Sequence, residues 1–169
     1  MTEYRDGTAG DVPAVDTLFR TSFVETFGHL YREQDLAAFL AGFTREAWAR
    51  EVRDPAFEFR LAFEDGEPAG FAKLGPLVLP IEPAGEAIEL RQLYLPARFH
   101  GLGIARELMN WVLARARRRG ADELYLSVYT DNWRAKAFYR RYGFVYVKPY
   151  AFMVGKQADE DEIWRLRLA

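Results

Sequence analysis

The stretch Arg98-Phe-His-Gly101-Leu-Gly103-Ile-Ala105 lies between an apolar, strand-like segment and a long amphipathic helical segment. Two glycines allow a tight turn in which the backbone approaches a ligand closely, and the free N–H groups at a helix N-terminus attract phosphate. No Gly-Lys-Ser/Thr of a P-loop follows, and Arg106 replaces the third glycine of a dinucleotide fingerprint. The stretch therefore predicts an anion-binding turn, although a plain strand-to-helix connection has the same pattern.

A second informative segment is Asn132-Trp-Arg-Ala135-Lys-Ala-Phe138-Tyr139, which is followed by Gly143-Phe144. Asn132, Lys136 and Tyr139 stand at i, i+4 and i+7, so a helix would place them on one face. Asn132 is suited to a helix N-cap, and Tyr139 is either a core tyrosine or a phenol directed at a ligand. The two segments together indicate an enzyme that holds a phosphate-bearing cofactor and carries out proton chemistry beside it.

The composition is that of a globular protein. Of 169 residues, 50% are hydrophobic and 28% are charged, and we expect one domain over residues 1–169. The chain has no cysteine, which excludes disulfides, thiolate catalysis and cysteine-ligated metals. Only His29 and His100 are present, so no metal site is expected.

The charge pattern favours no nucleic acid or membrane partner. The net charge is −2, and the arginines at 115 and 117–119 are expected to form a solvated face at a helix end. The N-terminal sequence MTEYRDGTAGD is unlike a signal peptide, and no apolar run approaches the ~20 residues of a membrane span. We therefore expect a soluble, cytoplasmic protein.

The hydrophobic pattern predicts a mixed order of helices and strands. Asp11 and Thr44 are suited to helix starts, and Asp65-Gly66 is typical of a hairpin turn. The acidic run at 159–162 is expected at a second hairpin tip, where it could also attract a polycation. This order indicates an α/β or α+β fold with helices on the faces of a mixed sheet. The predicted strands are 3–6, 57–64, 68–74, 87–95, 124–129, 144–154 and 163–168, and the predicted helices are 12–23, 36–43, 45–53, 101–119 and 132–142.

The glycine turn, set after a strand that ends Leu93-Tyr94-Leu95, resembles the acetyl-CoA pyrophosphate loop of the GNAT superfamily of acyl-CoA N-acyltransferases. The segment from Asn132 to Phe144 is similar to the later helix of that superfamily. The resemblance extends over essentially the whole chain. It implies a twisted mixed sheet of about seven strands, flanked by helices and splayed at two central strands to admit acetyl-CoA.

A narrower resemblance is to the bacterial spermidine/spermine N-acetyltransferases. It rests on Phe23-Val-Glu-Thr-Phe27-Gly28 with Tyr31 and Asp35-Leu36, on Ile88-Glu89, and on Phe152-Met-Val-Gly155. This resemblance implies a polyamine acceptor, but Arg91 stands where an acidic residue is expected in such enzymes. The N-terminal amine or a lysine of a protein, an aminoglycoside-like cation, and a non-catalytic acyl-CoA sensor remain alternatives.

The resemblance also implies roles for the matching residues. Tyr139 would donate a proton to the departing CoA thiolate, since a phenol is protonated at neutral pH. Glu89 is the candidate general base, or else an ion-pair partner of Arg91, and His100 is expected to contribute its backbone.

A homodimer and a small-molecule amine partner are implied. The acceptor would contact Glu25, His29, Tyr31 and Glu89, with a surface or capping role as the alternative for His29. Acetyl-CoA would contact Leu93, Tyr94, Leu95, Arg98, His100, Gly101, Leu102, Gly103, Ile104, Ala105, Arg106, Asn132, Lys136, Tyr139 and Arg141.

Overall fold

The computed structural model describes residues 1–168, which form seven strands and five helices. The strands are β1 (Thr2–Asp6), β2 (Glu58–Glu64), β3 (Glu67–Gly75), β4 (Ala87–Tyr94), β5 (Glu123–Tyr129), β6 (Val145–Val154) and β7 (Gln157–Arg167). The helices are α1 (Val12–Phe27), α2 (Glu33–Ala41), α3 (Arg45–Arg53), α4 (Ile104–Arg118) and α5 (Trp133–Arg141). The strand order is β1-β2-β3-β4-β5-β7-β6, and β4 with β5 is the parallel pair. The expectation of a mixed sheet is confirmed.

The helix starts follow from local chemistry. Thr44 Oγ accepts the N–H of Ala47 at 3.1 Å, so the predicted cap of α3 is confirmed. Asp11 precedes α1, but its carboxylate binds the guanidinium of Arg5 through two hydrogen bonds of 2.7 Å. The hydrogen bonds from Arg5 lower the pKa of Asp11 to about 2. This ion pair joins β1 to the start of α1.

Two apolar layers cover the sheet. On one face α4 and α5 pack over residues such as Leu90 and Leu126, with Leu108 and Met109 of α4 fully buried. On the other face the first three helices enclose Phe19 and Trp48, whose ring centroids lie 5.7 Å apart. None of the helices in residues 1–168 combines the length and the apolar character of a membrane span.

The acidic run at 159–162 does not form a hairpin tip, and that expectation was wrong. The turn between β6 and β7 lies at Gly155 and Lys156. Gly155 has a φ of 58°, a left-handed conformation that glycine adopts without strain, and the N–H of Lys156 donates to Asp35 Oδ1 at 3.0 Å. The acidic residues therefore lie within β7, where successive side chains point to opposite faces of the sheet.

The arginine run at the end of α4 is only partly a solvated face. Arg115 Nη1 lies 2.7 Å from Glu58 Oε1, and Arg119 also binds the Glu58 carboxylate. Arg117 and Arg118 are exposed. Two of the four arginines thus join α4 to β2, which lies beneath the helix.

Candidate active site

A cleft opens in the middle of the sheet because β4 and β5 are paired over a short distance only. Their register joins residues 87–89 with residues 123–125. Beyond that point the two strands separate, although β4 stays paired with β3 and β5 with β7. The cleft has a volume of about 830 Å³. The expectation of a sheet splayed at two central strands is therefore confirmed.

A bulge in β4 contributes to this separation. Leu74 pairs with Leu90 and Lys73 pairs with Gln92, so Arg91 is the extra residue of β4. Bulges bend a strand and re-aim its side chains. The Arg91 side chain lies in the cleft lining, with Nη1 3.3 Å from Pro76 O.

The glycine turn lies along the cleft, immediately before α4. Gly101 and Gly103 have φ values of 83° and 82°, so α4 begins at Ile104 and not at Gly101 as the sequence predicted. Within residues 1–168, the N–H groups from Gly101 to Arg106 donate to no protein acceptor, whereas the N–H of Glu107 returns to Gly103 O at 3.2 Å. The turn presents a row of unpaired donors at the positive end of a helix.

Leu93 and Tyr94 of β4, and Leu95 immediately after it, border the cleft where β5 no longer pairs with β4. His100 Nε2 lies 2.9 Å from Leu95 O, and His100 Nδ1 lies 2.6 Å from Arg134 Nη1. Because a guanidinium only donates, this contact places the imidazole hydrogen on Nε2. The His100 side chain therefore fastens the glycine turn to the end of β4, where a backbone contribution alone was expected.

Helix α5 places Asn132 and Tyr139 in the cleft lining. Asn132 Oδ1 accepts the N–H of Ala135 at 3.2 Å, which confirms the N-cap interpretation. The Tyr139 ring packs against Phe138 and Phe144, with centroid distances of 5.5 and 5.6 Å. Burial raises the pKa of Tyr139 above its ordinary value. The phenol consequently keeps its proton at neutral pH.

Lys136 does not reach the cleft, although the family resemblance implied that it contacts acetyl-CoA. Its Nζ lies 2.7 Å from Glu162 Oε2 and 2.9 Å from Thr130 O, and its side chain is 6% exposed. Position i+4 from Asn132 turns Lys136 toward β7 rather than toward the glycine turn. The positive charge of its ammonium is therefore already paired with a carboxylate inside the protein.

Four further residues of the predicted site also lie outside the lining. Arg98 binds Glu67 through two hydrogen bonds of 2.9 and 2.5 Å on the protein surface. Glu25 accepts the N–H of Ala97 at 2.8 Å, so it fastens α1 to the segment after β4. The two remaining residues are exposed side chains, Leu102 and His29. Tyr31 is the predicted acceptor contact that does line the cleft together with Glu89.

Three arginines of α4 and α5 line the cleft. Arg106 is in the first turn of α4 and Arg141 is at the end of α5, and Arg134, which the sequence analysis missed, contacts His100 beside the glycine turn. Arginine suits the recognition of phosphate groups because its planar fork donates several hydrogen bonds. The position of Arg134 in the first turn of α5, two residues after the cap, was the signal that could have identified it.

Glu89 lies at the last position where β4 pairs with β5, and it is 5% exposed. Its Oε2 accepts the N–H of Val78 at 2.9 Å, and its Oε1 lies 3.6 Å from Arg91 Nε. Burial raises the pKa of Glu89 above its ordinary value, against the opposing effects of the Val78 hydrogen bond and Arg91. The expected ion pair with Arg91 is therefore present.

Two carboxylates that the sequence analysis missed as site residues lie in the lining beneath α1 and α2. Asp159 accepts hydrogen bonds from the Tyr31 hydroxyl and, at 3.2 Å, from Gln157 Nε2. Asp161 is 9% exposed, and burial together with the charge of Asp159 raises the pKa of Asp161 to about 7. Alternation along β7 was the available signal, since residues two apart share a face.

The comparisons with known proteins agree with this geometry. The chain belongs to the acetyltransferase (GNAT) family, whose family model matches residues 14–144. It is accordingly an N-acetyltransferase of the acyltransferase class.

Individual relatives carry related descriptions. An uncharacterized N-acetyltransferase in the pepI 3′ region of Lactobacillus delbrueckii subsp. lactis is 28% identical over 155 residues, covering 89% of this chain and 88% of the relative. The aminoalkylphosphonate N-acetyltransferase of Salmonella typhimurium is 30% identical over 115 residues, covering 68% of this chain and 71% of the relative. The PaiA N-acetyltransferase of Thermoplasma acidophilum, solved in complex with coenzyme A, has a TM-score of 0.79 at 21% identity, with 99% of each chain covered. This last likeness shows the fold alone.

Proposed function

We propose that the protein transfers an acetyl group from acetyl-CoA to a cationic amine, with polyamines such as spermidine and spermine as the first acceptor class. The observation that carries the proposal is the opposite polarity of two parts of one cleft. Unpaired N–H donors and arginines lie beside α4, whereas Asp159 and Asp161 lie beneath α1 and α2. An anionic donor and a cationic acceptor would therefore approach from different parts of the cleft and meet between them.

The glycine turn is the proposed binding site for the pyrophosphate of acetyl-CoA. The N–H groups from Gly101 to Arg106 would donate to it, with the guanidinium groups of Arg134 and Arg141 nearby. The free edge of β4 from Leu93 to Leu95 would pair with the pantetheine amides in the manner of an added strand. The Asn132 amide would contact the same pantetheine arm.

Acetyl transfer would proceed by direct attack in a ternary complex. The neutral amine forms a C–N bond with the thioester carbon, main-chain N–H groups polarise the carbonyl, and the C–S bond breaks. Tyr139 donates its phenolic proton to the departing thiolate. Support for this role comes from its place in the lining and from the burial that keeps the phenol protonated.

The spacing of the two aspartates supports a polyamine acceptor. Asp159 and Asp161 are two residues apart on one face of β7, which separates their Cα atoms by about 6.6–6.8 Å. The five bonds that join the nitrogens of a 1,4-diamine, about 1.5 Å each in a staggered chain, span roughly 6 Å. Neighbouring ammonium groups would thus each face one carboxylate. Aromatic side chains that could cover the methylenes line the same region: Phe23, Phe27, Tyr31, Phe39 and Phe152.

A second candidate acceptor is an amine that also carries an acidic group. Arg91 and Lys73 line the same cleft, and Arg91 occupies the position where a polyamine enzyme was expected to have an acidic residue. Lys73 Nζ binds both carboxylate oxygens of Glu51, at 2.9 and 3.1 Å. Arg91 contacts Glu89 through Nε at the longer distance of 3.6 Å and Pro76 O through Nη1, so its Nη2 group would bind the acid. The relative from Salmonella typhimurium, named for aminoalkylphosphonate, favours this candidate.

An acceptor panel tests the proposal. The purified protein is incubated with acetyl-CoA and, separately, spermidine, spermine, 2-aminoethylphosphonate, a lysine peptide or an aminoglycoside, and thiol release is measured. We expect the highest kcat/KM with a polyamine. A preference for 2-aminoethylphosphonate that is lost in Arg91→Gln would support the second candidate. Binding of acetyl-CoA without turnover of any amine would instead indicate a sensor.

A further inference from the structure

We infer that Asp161 accepts the proton that the acceptor ammonium must lose before it attacks the thioester, and that Glu89 is a structural residue. Asp161 has this role only if the cleft transfers acetyl groups to amines, as proposed above. An acceptor amine is mostly protonated in neutral water, so a proton acceptor inside the cleft is required.

Strand register places Asp161 on the acceptor side of the cleft. It pairs with Tyr129 of β5 and with Tyr150 of β6. Residues paired across neighbouring strands share a face of the sheet, and all three side chains line the cleft. Because β5 borders the gap in the sheet, Asp161 lies one strand away from the place where β4 and β5 separate.

The Asp161 carboxylate has no protein partner within residues 1–168. No N–H, hydroxyl or cationic side chain there contacts it, although it is only 9% exposed. Buried carboxylates are normally hydrogen-bonded or paired, because an unpaired buried charge is costly. Glu162 next along the strand binds Lys136 at 2.7 Å, and Asp159 accepts the Tyr31 hydroxyl. Among the two β7 carboxylates that line the cleft, Asp161 is therefore the one whose acceptor atoms remain free for a ligand.

Glu89, unlike Asp161, has protein partners for its carboxylate. Its two oxygens contact the N–H of Val78 and the guanidinium of Arg91. The first contact fastens the loop after β3 to β4, and the second holds the side chain at the bulge. Protonation of Glu89 would weaken both contacts, so this carboxylate is suited to holding the cleft wall rather than to taking up a proton.

The electrostatic surroundings agree with the geometry. Burial raises the pKa of Asp161 to about 7, with further contributions from Asp159 and Glu162, and a base works best when its pKa lies near the operating pH. The titratable groups that face Asp161 from the surrounding elements are Asp159 of β7, Tyr31 before α2, Tyr94 of β4, Tyr129 of β5 and Tyr150 of β6, and the adjacent Glu162 acts on it from the opposite face of β7. None of these groups is a cation.

The proton balance of the step is complete without another reagent. The ammonium gives one proton to the Asp161 carboxylate, and the resulting amine forms the C–N bond as the C–S bond breaks. Tyr139 protonates the sulfur and then regains a proton from the new amide nitrogen through solvent. The proton on Asp161 leaves to solvent, so one acetyl-CoA and one ammonium yield free CoA, one amide and one proton.

The test compares Asp161→Asn with Glu160→Gln, a matched loss of charge on the exposed neighbour of the same strand. With spermidine as the probe, we expect kcat of Asp161→Asn to fall about 10²–10⁴-fold, with unchanged affinity for CoA by calorimetry. Glu160→Gln should match the wild type. In the wild type, kcat/KM should stop rising above about pH 7 and should not keep rising until the pH reaches the pKa of the amine. Glu89→Gln should show the same plateau.

A second probe separates proton transfer from binding or folding. Methoxyamine is already neutral at pH 7, so Asp161→Asn should approach the wild-type kcat with it. A wild-type profile that rises steadily to pH 10 with spermidine would overturn the role without the use of any variant. So would an Asp161→Asn enzyme that is equally active with spermidine, or equally impaired with both probes. If the wild type acetylates no amine, the proposed acetyl transfer itself fails.

Discussion

The hydroxyl of Tyr31 donates a hydrogen bond to Asp159, a residue 128 positions later in the chain. The contact joins the segment between α1 and α2 to the inner face of β7. The Tyr31 ring stacks on Phe23 with a centroid distance of 6.0 Å and an interplanar angle of 7°. Tyr31 thereby orients Asp159 and leaves Asp161, two residues further along β7, as the free carboxylate of the pair.

Tyr31→Phe should weaken acceptor binding more than cofactor binding. The substitution keeps the ring stack but removes the hydrogen bond that orients Asp159. We expect KM for spermidine to rise about tenfold, which corresponds to about 1.4 kcal/mol, while the dissociation constant of acetyl-CoA stays the same. Tyr146→Phe, on the exposed part of β6, is the control. An unchanged KM for spermidine would show that the Tyr31 hydroxyl does not contribute to acceptor binding.

Tyr139→Phe should lower turnover by about 10²–10⁴-fold, because the phenolic proton is the one proposed to reach the thiolate. The affinity for acetyl-CoA, measured by titration calorimetry, should change little. Tyr142→Phe is a matched control at the residue directly after the same helix, because Tyr142 lies outside the cleft lining and its hydroxyl is 3.5 Å from Arg106 O. Equal turnover of Tyr139→Phe and wild type would remove the assigned role.

Gly101→Glu should weaken acetyl-CoA binding by at least about tenfold, through charge repulsion at the proposed pyrophosphate site. The control is Gly120→Glu, because Gly120 has a similar φ of 78° and, as at Gly101, an added Cβ would have no atom within 4 Å. Both substitutions impose the same backbone strain, but Gly120 follows the far end of α4. Calorimetry that finds the same loss of affinity in both variants would contradict the assignment of the glycine turn.

Lys136→Met should destabilise the fold without changing acetyl-CoA affinity. The substitution leaves the carboxylate of Glu162, whose side chain is 14% exposed, without its cationic partner. Because Trp164 Nε1 still lies 3.4 Å from this carboxylate, we expect a loss at or below the lower end of the roughly 3–5 kcal/mol that a broken buried pair costs. The double variant Lys136→Met/Glu162→Gln should recover part of this loss, which denaturant unfolding would measure. A stable Lys136→Met with weakened acetyl-CoA binding would restore the acetyl-CoA contact that the family resemblance implied for Lys136.

The stability of the protein should depend on the charge state of Asp161. The pKa of this carboxyl is raised from 3.8 to about 7 in the folded state, so the fold favours its protonated form. This contribution is complete below about pH 4 and is lost as the pH rises through 7. Asp161→Asn should therefore melt at a higher temperature than the wild type at pH 8, and the difference should shrink toward pH 4. If the two proteins differ in melting temperature by the same amount at pH 8 and pH 4, folding does not raise the pKa of Asp161.

Local chemistry made much of the fold predictable from the sequence. Thr44 and Asn132 cap their helices, and Asp65-Gly66 forms the β2–β3 turn, because these structures depend on neighbouring residues only. The two glycines before α4 likewise required a turn with positive φ. The family resemblance extended this local reading to the order of strands and to the gap in the sheet.

Long-range contacts decided the partners of the charged side chains. Lys136 lies at helical spacing from Tyr139, yet its ammonium binds Glu162, which only the packing of α5 on β7 brings near. Asp161 faces the cleft because the β6–β7 turn lies at Gly155 and Lys156, which sets the register of β7 against β6. A shift of one residue would have sent this carboxylate to the opposite face. The sequence alone therefore determined most of the helices, strands and turns, whereas the tertiary structure decided where the β6–β7 turn lies, which charges are paired and which remain free for a ligand.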